Sequence, residues 1–150
     1  MKKINYLLGL LGLLPLIACS PKPQPIEYGL DQCHFCKMNI VEDQFAAEWV
    51  TDKGKVYKFD AIECMARHLT TQQQASAFEL VCNYLQPGQW INAGESTFLI
   101  SPEIPSPMGG YLSAFQSDSE ARTMLERYGG DIYNWSQIQD RFDDVNFSAR

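Results

Sequence analysis

The chain has 150 residues, with 12 Lys or Arg against 18 Asp or Glu and a formal net charge of −6. That balance argues against a nucleic-acid partner, and an acidic surface is ordinarily a solubility device and not a cation site. The length allows one compact domain, or two small halves sharing a core, but not two independent globular domains once a leader is removed.

Lys2-Lys3 opens the chain, followed by an apolar run from Ile4 to Ile17 that Gly9, Gly12 and Pro15 interrupt. Residues 1–18 therefore read as a signal peptide and not as a membrane span. The tetrad Leu16-Ile17-Ala18-Cys19 resembles the lipobox of bacterial lipoproteins. That resemblance implies cleavage before Cys19, lipid on its sulfur and amino group, and, with Ser20 behind it instead of Asp, an outer-membrane anchor facing the periplasm. Three prolines between Ser20 and Pro25 predict an extended, solvated tether over residues 19–30. The folded domain is expected over residues 31–150, and the chain after residue 18 keeps ten basic residues against eighteen acidic ones.

Asp31-Gln32-Cys33-His34-Phe35-Cys36-Lys37-Met38 then gathers two thiols, an imidazole and a thioether. Gln44 to Val50 reads as a strand with Phe45, Ala47 and Trp49 on one face, Asp52-Lys53-Gly54 as a hairpin turn, and Lys55 to Phe59 as the returning strand. Asp60 and Glu63 stand at capping-box spacing before a helix whose apolar stripe is Ile62, Met65, Ala66 and Leu69, ending near Gln72 to Gln74. Phe78 to Leu85 predicts a strand, and Pro87-Gly88 a turn.

The second half repeats that element order. A strand is expected at Thr97 to Ile100, another at Tyr111 to Phe115, and a capping box at Ser117 and Glu120. The helix behind it carries Ala121, Met124, Leu125 and Tyr128 and stops at Gly129-Gly130, before a closing strand at Asp131 to Trp135. The reading is an α+β fold of two tandem β-β-α-β units, over about residues 31–86 and 87–140.

Four cysteines remain after Cys19, and export makes disulfides their default fate. The Cys33-x-x-Cys36 spacing suits a metal, a disulfide or a redox pair. No convincing helix starts after it, which counts against a thioredoxin-type pair and leaves metal binding in front. Structural zinc would want a second Cys-x-x-Cys or a close His pair, and neither is present. Cys64 and His68, four apart on the predicted helix, could complete a ligand set, though burial of the Cys and an ordinary flank for the His are preferred. Cys82 reads as core, with a disulfide to Cys64 as the lesser possibility. Met38 favours Cu(I) over zinc, because a thioether is a soft donor. Met108, in the loop Ser106-Pro107-Met108-Gly109-Gly110, is the second such candidate, since a loop tip of this composition offers little core to fill.

The lipobox at Cys19, the Cys33-His34-Phe35-Cys36-Lys37-Met38 element, Lys58-Phe59-Asp60 and Ser106-Pro107-Met108-Gly109-Gly110 with Phe115 together resemble the NosL family, the nitrous oxide reductase accessory lipoproteins. The resemblance implies a fold of two β-β-α-β units and a copper-binding protein without turnover. It would hold one Cu(I) with Cys33, Cys36, Met38 and Met108, with His34, Cys64 and His68 as further candidates. Copper would pass to the apparatus that matures nitrous oxide reductase, or to that enzyme. Family members often have Gly before the methionine of the first element, and here Lys37 stands in its place. The alternative is a periplasmic thiol-disulfide or mercurial-processing enzyme using Cys33 and Cys36.

Overall fold

In a computed structural model, which describes residues 20–143, strand β1 (Ala47–Thr51) is buried at every position. A strand covered on both faces must be central, and β1 lies between β2 (Val56–Phe59) and β3 (Ser76–Cys82) in an antiparallel sheet of order β2-β1-β3-β4, with β4 at Trp90–Asn92. Helix α1 (Ile62–Thr70) follows β2 directly. The same connection recurs in the second sheet, where β5 (Thr97–Ile100) is central between β6 (Leu112–Phe115) and β7 (Asp131–Tyr133), and α2 (Asp118–Tyr128) lies between β6 and β7 in the chain. Helix α3 (Trp135–Phe142) closes the described chain. The fold is α+β. Among the described residues no helix is long and apolar enough to cross a membrane.

One core serves both sheets. Trp49, Phe59, Ile62 and Met65 from the first half pack in a single buried cluster with Phe98, Leu112, Ala114, Trp135 and Ile138 from the second, and Cys33 and Cys64 belong to it. A smaller cluster under α2 holds Phe45, Leu99, Ile104, Phe115, Ala121 and Met124. The shared cluster explains why a chain of this size needs no separate core in each half.

Several boundaries differ from the sequence reading, each for a local reason. Asp43–Phe45 is a single 3-10 turn, so β1 begins only at Ala47. The N-cap of α1 is Ala61, without a side-chain cap, because Glu63 turns into the interior and not back over the helix end. The box at Ser117 and Glu120 does form. The strand expected as far as Trp135 stops at Tyr133, since Asn134 and Gln137 build a second capping box and start α3 there.

The signal peptide and Cys19 lie outside the described residues. The Pro-rich segment expected as a solvated tether is exposed but fastened along the first sheet. Pro21 lies beside Gly54 in the β1–β2 turn, its Cα 3.9 Å from where a Cβ on that glycine would stand. The Gln24 N–H donates to Glu48 Oε1 at 2.8 Å, and Lys58 Nζ donates to the Pro25 carbonyl at 2.7 Å. Glu48 and Lys58 are cross-strand partners, so the chain runs from the hairpin turn toward the far end of β2 before it reaches the cysteines.

Candidate metal centre

The Cys33 loop is a tight turn anchored on the edge strand. Cys33 N–H donates to the Met38 carbonyl at 2.8 Å, Lys37 N–H to the Cys33 carbonyl at 3.0 Å, and His34 N–H to the Lys58 carbonyl of β2 at 2.8 Å. Lys58 also pairs with Asp31 at 2.6 Å, which holds the Asp31 carboxyl below the usual range and fixes the base of the loop. Closing the turn requires Lys37 at φ +66°, a left-handed conformation that glycine adopts without strain and lysine does not.

This turn places Cys33 and Cys36 beside Cys64, in the first turn of α1, with the three sulfurs within 4.8 Å of one another. Cys33 and Cys64 are fully buried and Cys36 is half-buried, so the group has one accessible side. Cys64 is buried, as the sequence reading preferred, and it also stands with the two loop thiols. Its signal in the sequence was the Cys-to-His spacing of four, but which face of α1 meets the loop is decided by packing that spacing does not encode.

The thiols are unequal. Cys33 accepts hydrogen bonds from the Cys64 thiol and from the backbone N–H groups of Asp60 and Cys36, which lower its pKa to about 5 despite burial. Cys64, as the donor to Cys33 and a buried group, is pushed up. Burial likewise raises Cys36. At neutral pH the group therefore carries one thiolate and two thiols, and a metal that took all three sulfurs would release protons.

The two imidazoles stand next to the thiols without joining that group. His34 and His68 meet edge to face with ring centroids 4.9 Å apart, and Tyr57 packs against both, at 4.5 Å from His34 and 5.2 Å from His68. Trp49 and Phe59 each lie 5.4 Å from His68. Burial, then the charges of His34, Lys37 and Lys55, lower the His68 pKa to about 4, and His34 is lowered for similar reasons. Both rings are neutral at pH 7, and His68 Nε2 is buried without a hydrogen-bond partner.

The thioethers differ in setting. Met38 is 54% exposed at the rim of the turn. Met108 is half-buried and packs, from the second half of the chain, against the shared core cluster that contains Cys33 and Cys64. Cys82 is remote in role: it ends β3, its sulfur accepts from Gly88 N–H at 3.1 Å, and both it and Cys64 are free thiols, so the lesser possibility of a Cys64–Cys82 disulfide is not realised.

Three sulfurs converging from a loop and a helix form a soft donor set, which suits Cu(I) by polarizability and low coordination number. A closed structural zinc site would want four ligands in tetrahedral array.

Among solved structures, the chain is similar to the crystal structure of the copper chaperone NosL from Shewanella denitrificans, with a TM-score of 0.68 and 22% sequence identity over 77% of this chain and 94% of that one. That likeness establishes the shared fold. No curated protein matches the chain. The NosL family model matches residues 26–142, from the buried Ile26 through the end of α3 and including the whole thiol group, and the chain accordingly belongs to the NosL family.

Proposed function

We propose that the protein is a copper chaperone that binds Cu(I) at Cys33, Cys36 and Cys64 and gives it up to a receiving protein by ligand exchange. The observation that carries this is the convergence of three sulfurs within 4.8 Å, with one side open. The related fold from Shewanella denitrificans is described as a copper chaperone, which supports the same reading. The already ionised Cys33 is the first ligand. Cys36 and Cys64 lose their protons as the metal arrives, because coordination stabilises thiolate far more than burial disfavours it. Met38, exposed at the rim, and Met108, from the second half, supply thioethers, and neutral His34 or His68 can supply nitrogen. One Cu(I) per chain fits the one such thiol group among the described residues.

A partner's ligand approaches from the Cys36 and Met38 side, where the group is not buried, and displaces one sulfur at a time. Copper is then never released as a free ion. In this proposal the recipient is the maturation apparatus of nitrous oxide reductase, or that enzyme, and lipid on Cys19 holds the protein at the outer membrane facing the periplasm. Anaerobic Cu(I) titration of the full chain, against a Cys33→Ala/Cys36→Ala/Cys64→Ala variant, tests the site. Equal affinity in the two proteins would sink it, and insulin reduction or carbon–mercury cleavage by the wild type would favour the enzyme alternative.

A further inference from the structure

Glu63 is fully buried, a costly place for a carboxylate, and neither the fold nor the thiol group requires it there. It precedes Cys64 in the first turn of α1, yet its side chain reaches across to the second half of the chain. Its Oε1 accepts from Ser106 Oγ at 2.5 Å and from Gly110 N–H at 3.1 Å, spanning 43 and 47 residues of sequence. Those two donors flank Met108. The loop between them is closed on itself by Gly109 N–H donating to the Ser106 carbonyl at 2.9 Å. One carboxylate therefore pins both ends of the short turn that presents the thioether.

The fit is close on the backbone side as well. A Cβ on Gly110 would stand 2.8 Å from both Cδ and Oε1 of Glu63, so the loop can approach this near only because residue 110 is glycine. Ser106 is itself buried, and Met108 packs against the cluster containing Cys33 and Cys64. Two donors from separate residues meet one carboxyl oxygen, which suits a contact that must hold a loop from a different half of the chain.

We infer that Glu63 is a positioning residue that sets the Met108 thioether against the thiol group, so that the second half contributes its ligand through a contact made by the residue next to Cys64. This rests on the reading above, in which Met108 binds Cu(I). Neighbours that orient metal ligands commonly change affinity tenfold or more when removed, and Glu63 belongs to that class although it touches no metal.

The test uses the full chain as wild type and as Glu63→Ala, Ser106→Ala, Met108→Ala and Glu63→Ala/Met108→Ala. Cu(I) affinity is measured by competition with a chromophoric chelator, and the number of sulfurs on copper by X-ray absorption. The expected result is a loss of roughly tenfold in Glu63→Ala, matching Met108→Ala, with one sulfur fewer in each and no further loss in the double variant. Ser106→Ala keeps the carboxyl group and removes one donor, so it should give a smaller loss of the same kind and serves if Glu63→Ala does not fold. An unchanged sulfur count in both clamp variants, or losses that add in full with Met108→Ala, overturns the role of Glu63. If Met108→Ala alone leaves affinity and sulfur count unchanged, the ligand reading of Met108 fails, and the inference with it.

Discussion

The Cys64 thiol donates its hydrogen to the Cys33 sulfur, the largest of the contacts that draw Cys33 down to about 5, and the same bond together with burial drives Cys64 up. The apo protein is thereby poised with one anionic sulfur, enough to attract a monovalent soft cation, without the repulsion of three.

The thiolate should be visible directly. Ultraviolet thiolate absorbance of the reduced, metal-free protein is expected to show one group titrating near pH 5. Cys64→Ala removes the strongest donor to that sulfur, and the midpoint should move upward toward the ordinary thiol value of 9.0. An unmoved midpoint would mean that the backbone N–H groups of Asp60 and Cys36 suffice.

His68 makes the metal-free protein sensitive to mild acid. Its folded pKa of about 4 lies below the ordinary 6.5, so between those values the unfolded chain takes up a proton that the folded one refuses. Stability therefore falls as pH drops through that window and stops falling from this cause below it. Urea denaturation at pH 7 and pH 5 should show a smaller drop in His68→Phe than in wild type.

Lys37→Gly should stabilise the protein. The lysine backbone sits at φ +66°, and its side chain offsets this only by donating to the exposed His34 carbonyl. Relief of the left-handed strain is worth about 1 kcal/mol, part of which the greater freedom of glycine in the unfolded chain cancels. A rise of about 2–4 °C in the melting temperature is the expected readout, and a fall would show that the surface hydrogen bond matters more.

Ile138→Ala tests whether α3 belongs to the common core. Ile138 is fully buried in the cluster shared by both sheets, so truncation should cost about 2–4 kcal/mol in denaturant unfolding. A cost below about 0.5 kcal/mol would mark α3 as a surface appendage.

Elements with strong local signals were legible in the sequence. Gly54 closes the β1–β2 turn at φ +79°, and Ser117 with Glu120 caps α2, both where turn and cap chemistry placed them. The Asp60 and Glu63 pair had the same signature and failed, because a long-range demand from Ser106 and Gly110 drew Glu63 inward. The strand pattern at Asp131 hides helix α3, although Asn134, Gln137 and the spacing of Trp135, Ile138 and Phe142 announce it. Two of the three thiols were plain in Cys33-x-x-Cys36. Cys64 was harder, because α1 buries Cys64 as well as its apolar stripe, and the first residues of a helix covered on several sides do not reveal which side meets a loop.

The strap from Pro21 to Pro25 has a mechanical consequence. Tension entering at Ser20 would be carried first by Pro21 against the β1–β2 turn and by the bonds to Glu48 and Lys58, in shear along a sheet whose central strand is fully buried. Two such bonds, to Glu48 and from Lys58, take the load before the chain reaches Ile26. A pull on the amino-terminal end is thus met by the strap and the first sheet ahead of the chain that leads into the Cys33 turn.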